Sequence, residues 1–384
     1  MDSPTRMNPL HEAAKNGDIN KVRSLLETGA SDINKKDDEV DILRPTPLHN
    51  AAEGGHSDVV ALLIQHGADP CSTDTWSRTP LHYAAEGGHR DVVTLLIQHG
   101  ADPCSTDCTC ITPLHYAAEG GHSDVAALLI QHGADPCSTD SWGRTPLHNA
   151  AEGGHSDVVD RLIQHGADPC SKNREGNTPL HKAAWGGHRD VAALLIQHGA
   201  DPCSTDEQKR TPLHNAADRG QSDVAALLIQ RGADPRSTDG EGRTALHLAA
   251  WGGHSDVAAL LIQKGADPCS RGRWGRTPLH EAAGSGKRDV AAVLIQHGAN
   301  PCSTDENGRT PLHDAALHGN SGVAFLLIQQ GADLCSRDNL YGSTPLHYAA
   351  QGGHSNVAAL LIQHGADPRI EDSLEGVTLA DRMA

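Results

Sequence analysis

The chain has 384 residues with a single Phe, five Trp and four Tyr, so rings make up only 3% of it, far fewer than the core of a conventional enzyme would use. Its 31 basic against 49 acidic residues give a formal charge of −18, which removes the basic footprint needed to bind nucleic acid or an anionic membrane. No apolar run reaches the roughly 18 residues of a membrane span, and the opening MDSPTRMNPLHEAAKNGD has no charged-then-apolar secretion signal.

In chain order, the first recurring element is N-P-L-H at Asn8. T-P-L-H then starts at Thr46, Thr79, Thr112, Thr145, Thr178, Thr211, Thr277 and Thr310, with T-A-L-H at Thr244, a spacing of 33 residues throughout. Another T-P-L-H at Thr344 follows a one-residue insertion, and a degenerate T-L-A-D stands at Thr378. The period predicts an N-terminal capping unit with a long finger over 1–45, ten repeats over 46–368 and a partial capping unit over 369–384, in one continuous domain. The last copy either caps the stack with Leu374, Leu379 and Met383 or is a truncated unit.

Residues 79–103, TPLHYAAEGGHRDVVTLLIQHGADP, represent one unit. Thr79 is placed to cap a helix and Pro80 fits its first position, where a missing N–H is harmless. Leu81, Ala84 and Ala85 give that helix a short apolar face, and Gly87-Gly88 ends it. A second helix is predicted from about Arg90, with Val92, Leu95 and Leu96 at helical spacing and Gly100 as its stop. Neither helix is long enough to be stable alone, so stacked units must share a core. Leu, Val, Ile and Ala suffice for such a core without Phe. Glycines at Gly284, Gly286 and Gly322 mark the weakest helix ends.

These motifs resemble the ankyrin repeat: G-x-T-P-L-H-x-A-A, then G-H, then V-x-x-L-L-x-x-G-A-D, at period 33 over almost the whole chain. The resemblance implies an all-α solenoid of stacked antiparallel helix pairs with short β-hairpin fingers. At 8–10 Å between neighbouring helices, eleven units would span on the order of 100 Å. It also implies a concave binding surface made by the fingers and first helices.

Of the 26 histidines, eleven belong to the P-L-H tetrad or its variant (His11 through His347), seven to G-G-H and seven to Q-H-G. They recur because the unit recurs. In the family the tetrad His is structural, and neither His-Glu-x-x-His nor a paired C-x-x-C supports a zinc site here. The outer histidines are expected to titrate near pH 6.5 and to affect solubility only. Eight cysteines share one repeat position (Cys71, Cys104, Cys137, Cys170, Cys203, Cys269, Cys302, Cys335). One repeat apart, they exceed the roughly 7 Å Cα limit of a disulfide, so reduced thiols and an intracellular setting are expected. Cys104, Cys108 and Cys110 form C-x3-C-x-C, for which surface thiols are favoured over a metal or redox site. The family usually carries Asn at the repeated Cys position, where it ties adjacent loops. Its replacement predicts a weakened loop ladder, with only Asn34 keeping the family residue. No nucleophile, phosphate loop or kinase signature supports catalysis.

Variation between units falls in three columns. The finger column, three residues before the Thr, carries Trp76, Trp142, Trp274 and Tyr341; the column after the tetrad carries Tyr83, Tyr116 and Tyr348. The column after the Ala pair carries Trp185 and Trp251, with Glu53, Glu86, Glu119 and Glu152 as an acidic ladder. Because these columns accept charges and rings alike, all three are expected to be at least partly exposed. They supply the predicted partner-binding residues, the Trp foremost, since Trp and Tyr dominate interface hot spots; packing on the stack is an equal alternative for the three Tyr after the tetrad. Arg78, Arg144, Arg210, Arg243, Arg276 and Arg309 precede the Thr and are expected to pair with finger Asp residues.

The expectation is a non-enzymatic adaptor that binds a protein or peptide, basic where it meets the N-terminal half, with no cofactor, metal, nucleic acid or membrane insertion. A monomer in the cytoplasm, with the nucleus as second compartment, completes this reading. The alternative is the substrate-recruiting subunit of a ubiquitin ligase or other enzyme complex, and a zinc or thiol enzyme is the third.

Overall fold

Each tetrad opens a short helix: Thr caps it, or Asn8 in the first copy, and Pro pre-sets its first turn in every copy but the one that has Ala245. In the computed structural model, which describes residues 8–28, 32–37 and 42–370, these helices are α1 (Pro9–Lys15), α3 (Pro47–Glu53), α5 (Pro80–Glu86), α7 (Pro113–Glu119), α9 (Pro146–Gly153), α11 (Pro179–Gly186), α13 (Pro212–Asp218), α15 (Ala245–Gly252), α17 (Pro278–Gly284), α19 (Pro311–Leu317) and α21 (Pro345–Gln351). Each is followed by a nine-residue helix: α2 (Ile19–Glu27), α4 (Ser57–Gln65), α6 (Arg90–Gln98), α8 (Ser123–Gln131), α10 (Ser156–Gln164), α12 (Arg189–Gln197), α14 (Ser222–Gln230), α16 (Ser255–Gln263), α18 (Arg288–Gln296), α20 (Ser321–Gln329) and α22 (Ser355–Gln363). The fold is all-α, built of stacked antiparallel helix pairs. Leu374, Leu379 and Met383 of the predicted C-terminal cap lie outside the described residues.

The chain divides into two units, residues 1–183 with 190–200 and residues 184–189 with 201–384. In the first, α1, α3, α5, α7 and α9 pack side by side in that order, and α2, α4, α6, α8 and α10 form a second row. In the second, α13, α15, α17, α19 and α21 make one row and α14, α16, α18, α20 and α22 the other. Leu81, Ala84, Ala85, Val92, Val93 and Leu96 of the representative repeat are buried. Leu95, expected in the core, is half-buried, and Val93 takes the inner position instead. Each fully buried Leu contributes roughly 1.5–3 kcal/mol, so many identical small cores replace one aromatic centre.

The tetrad histidine joins consecutive repeats. Thr79 donates its backbone N–H to His82 Nδ1 at 3.0 Å, and its hydroxyl stands 2.9 Å from the same nitrogen. An N–H can only donate, so Nδ1 is the bare nitrogen and the proton rests on Nε2. That Nε2 donates to the carbonyl of Ile111 in the next repeat, 3.2 Å away. The same tie runs from His49 to Arg78, His115 to Arg144 and His148 to Asn177 in the first unit. In the second it runs from His214 to Arg243, His247 to Arg276, His280 to Arg309 and His313 to Ser343. Burial holds these imidazoles below their ordinary pKa, to about 4 at His49, His82, His148 and His313.

The fingers are tight loops rather than the expected β-hairpins; among the described residues the one β-bridge joins Thr238 and Thr244. An acidic or amide side chain closes each loop from within, except in the finger of Gly272. Asp74 Oδ1 accepts the backbone N–H of Trp76 and Arg78 at 2.8 and 2.9 Å, while its own N–H donates to the Arg78 carbonyl. These local bonds satisfy the backbone without a strand partner.

Candidate interaction face

Successive fingers are linked through their backbones. The Trp76 carbonyl accepts from Cys108 N–H at 2.8 Å, Trp142 from Arg174 at 2.9 Å, and Trp274 from Glu306 at 2.8 Å. At the far end of each short helix the G-G-H histidine reaches back in the same way. His89 Nε2 bonds the Glu53 carbonyl at 2.8 Å, His122 the Glu86 carbonyl at 2.9 Å, and His254 the Asp218 carbonyl at 3.0 Å. At two G-G-H positions other residues take over: Gln221 reaches the Trp185 carbonyl, and Asn320 reaches Ala283 and Gly284. The finger and post-Ala columns therefore serve the stack with their main chain and leave their side chains free to vary. Sequence alone assigns the G-G-H histidines to solvent; their period of 33 is visible in it, but their partners lie 36 residues away.

The side chains follow that division. The five Trp are between 36% and 59% exposed, and Tyr341 is 44% exposed. Glu53, Glu86, Glu119 and Glu152 are also exposed. The column after the tetrad departs from expectation. Tyr83 and Tyr348 are buried at 7% and 6% exposure, Asn50, Asn149, Asn215, Leu248 and Asp314 are buried, and Tyr116 is half-buried. The cause is a double contact: each Tyr hydroxyl donates to its own finger Asp (Tyr83 to Asp74 at 2.8 Å, Tyr116 to Asp107 at 3.1 Å, Tyr348 to Asp338 at 2.6 Å). Each ring also sits edge-on to the preceding tetrad histidine, 5.4 Å from His49 in the case of Tyr83.

Arginines orient the exposed rings. Arg78 lies over Trp76, Arg144 over Trp142, Arg219 over Trp185 and Arg273 over Trp274, at 5.4, 5.0, 4.1 and 4.2 Å from the ring centroids. Arg78, Arg144 and Arg243 also pair with their finger carboxylates, Asp74, Asp140 and Asp239, at 3.0, 2.7 and 2.9 Å. Burial opposes the Asp74 charge, but hydrogen bonds from Tyr83 and Arg78 outweigh it and hold the carboxyl below its usual range. Three clefts open beside the rings. Trp142 shares one of about 380 Å³ with Arg144, Arg174 and Lys182. Trp251 shares one of about 350 Å³ with Arg210, Asp218 and Leu248. Trp274 stands on one of about 600 Å³.

The four glutamates of the acidic ladder are partly answered within the protein. Lys15 lies 3.9 Å from Glu53, Arg78 3.9 Å from Glu86, and Lys182 3.7 Å from Glu152. Burial, with Glu119 and Glu53 adding to it against Arg78, raises the Glu86 carboxyl above its ordinary value.

The repeated cysteines keep the loop ladder that the loss of Asn puts in doubt. Cys71, Cys104 and Cys137 direct Sγ to the carbonyls of Gly100, Gly133 and Gly166 in the next repeat, at 3.4, 3.3 and 3.4 Å. Asn34 does more, donating to the Gly67 carbonyl at 3.3 Å and accepting from Asp69 N–H at 2.9 Å. A thiol supplies the donor half of that bond and lacks the acceptor half. Burial raises the Cys71 thiol pKa, and Asp69 and Asp102 add to the shift, which keeps the proton on sulfur. The cysteines are free thiols, Cys108 and Cys110 exposed among them. Among the described residues no group of three or more His, Cys, Asp or Glu stands close enough to hold a metal ion. No helix of these residues is long and apolar enough to cross a membrane.

Fold and face together define a helix-pair repeat protein whose stack is tied by histidines and whose rings stand on the fingers and short helices. The chain belongs to the ankyrin-repeat family. The family model for ankyrin repeats in three copies matches residues 10–107, 48–140, 114–206, 199–272 and 269–338, and that for a single ankyrin repeat matches 341–373. Ankyrin repeats are protein–protein interaction modules, generally without catalysis of their own. No curated protein matches the chain.

Proposed function

We propose that this protein is a non-enzymatic scaffold that holds a protein or peptide on the face formed by its fingers and short helices. One observation carries the reading: the five Trp are exposed, and at Trp76, Trp142, Trp185 and Trp274 it is the backbone carbonyl that serves the stack. Large rings kept half in water without a structural duty fit anchors for a partner. Trp76, Trp142, Trp185, Trp251 and Trp274 are the principal anchors, with Tyr341 beside them. The buried Tyr83 and Tyr348 and the half-buried Tyr116 shape the floor from below.

Glu53, Glu86, Glu119 and Glu152 favour a basic partner segment over the N-terminal half, though Lys15, Arg78 and Lys182 reduce that preference. Free thiols agree with a cytoplasmic setting. The test is affinity capture with the full chain, comparing wild type with the variant in which all five Trp are Ala. Loss of the captured partners at unchanged helical circular dichroism is expected. Identical captured sets would overturn the assignment of the face.

A further inference from the structure

Resting on that reading of the face, we propose that the cleft beneath Trp274 is a seat for a carboxylate side chain of the partner, with Arg309 as its receptor. The cleft lies within the second unit and exists because its repeats break the common pattern at three places.

The first is Gly272, where the fingers described above carry Asp. Without a finger carboxylate to hold it, Arg276 turns across to Glu281 and Asp314, each 3.0 Å away. The second is Gly284, where every other repeat has a side chain in the post-Ala column. A Cβ there would stand 3.7 Å from His318 and 3.8 Å from Arg276, so a side chain would grow over the cleft wall. The third is Arg309. Its counterparts Arg78, Arg144 and Arg243 pair with their finger Asp, and Asp305 stands ready in its own finger. Asp305 Oδ1 accepts the backbone N–H of Asn307 and Arg309, at 2.8 and 2.9 Å, just as Asp74 Oδ1 serves its own finger, yet its carboxylate receives no ion pair from Arg309. The guanidinium turns instead to Tyr348, whose side chain it hydrogen-bonds and whose ring centroid lies 5.1 Å away, while its Nε is buried with no hydrogen-bond partner.

A buried donor left unmade is destabilising by roughly 1–3 kcal/mol, and such groups in native proteins call for an explanation. Once the Arg309 side chain swings out into the cleft, a carboxylate satisfies this donor by accepting Nε–H and an Nη–H side by side. The cleft's own acids do not pair with Arg309: Glu241 pairs with Arg243 and Arg273 at 3.3 and 2.8 Å, Glu281 and Asp314 hold Arg276, and Asp305 Oδ1 is taken by backbone N–H groups of its own finger. At the rim, Trp274 has a left-handed backbone with φ of 57°, which is a strained conformation for a bulky residue. It is 54% exposed beside Arg273, placed to cover an apolar residue next to the carboxylate. The net charge of −18 does not forbid an anion here, since charges beyond about 8 Å are largely screened at physiological salt.

The probe is a random dodecapeptide library displayed on phage, selected against the full chain at 0.15 M salt. Enriched peptides should carry Asp or Glu beside an apolar residue. For one such peptide, R309Q should weaken binding at least tenfold. Replacing its acid by the amide should weaken wild type equally and R309Q no further, a coupling that isolates the pair. Enrichment without an acid, no enrichment at all, or losses from R309Q and the amide that simply add would overturn the proposal. If R309Q fails to fold, the amide peptide on wild type decides alone: a tenfold loss supports the seat, and unchanged binding overturns it. If acid-free peptides are selected and lost on the five-Trp variant, the binding face survives and only the carboxylate seat falls.

Discussion

Gly88 shows how little room a single side chain has between repeats. Its φ is +68°, and a Cβ added there would lie 2.4 Å from Nδ1 of His122, the strap of the next repeat. Gly100 has a comparable backbone, φ +96°, but nothing within 4 Å of where its Cβ would be. Replacing either by Ala brings the left-handed penalty of roughly 1–2 kcal/mol; only Gly88→Ala also displaces the ring from the Glu86 carbonyl. Urea denaturation should rank Gly88→Ala below Gly100→Ala by at least a further 1 kcal/mol, on the order of a lost hydrogen bond. Equal midpoints would mean that the strap carries no stability. Sequence explains Gly87-Gly88 as a helix stop, which is correct locally. The second reason, room for a histidine from another repeat, lies in contacts that a single sequence does not display.

At the scale of the element, the loop ladder separates donor from acceptor. Asn34 makes both bonds across to the next repeat, whereas Cys137 makes only the thiol bond to Gly166. Cys137→Asn should therefore restore the missing acceptor and raise stability by about 0.5–1.5 kcal/mol, measured by urea midpoint. No change, or a loss, would show that the thiol loops have settled on a geometry the amide cannot use. Helix positions are legible because Thr, Pro and Gly act within a turn of where they stand: α5 and α6 begin and end where residues 79–100 predict. The face is legible only in part. Variability locates the finger and post-Ala columns, but it also includes Tyr83 and Tyr348, whose hydroxyls bond finger carboxylates nine and ten residues earlier. Variation marks freedom from one structural duty and does not distinguish an exposed site from a buried one with several solutions.

For the whole molecule the tetrad histidines set the response to acid. Burial depresses their pKa from 6.5 to about 4 at His49, His82, His148 and His313, and lowers it at His115, His214, His247 and His280 as well. Below pH 6.5 the unfolded chain takes up protons that the folded chain refuses, so stability is complete above that pH and falls as pH drops toward 4. Each of the four deepest shifts corresponds to a loss on the order of 3 kcal/mol by the lower end of that window. Urea midpoints at pH 7.5, 6.0 and 5.0 should decline steadily; a flat profile would place the imidazoles in contact with water. Along the variable columns, bonds between successive finger backbones and from the G-G-H histidines occupy the main chain and leave the rings free for a partner. That claim is tested most directly by hydroxyl-radical footprinting of the full chain, alone and with a captured partner. Protection at Trp76, Trp142, Trp185, Trp251 and Trp274, with Phe325 on α20 still oxidised, is the predicted result. Protection of Phe325 with all five Trp unchanged would contradict it.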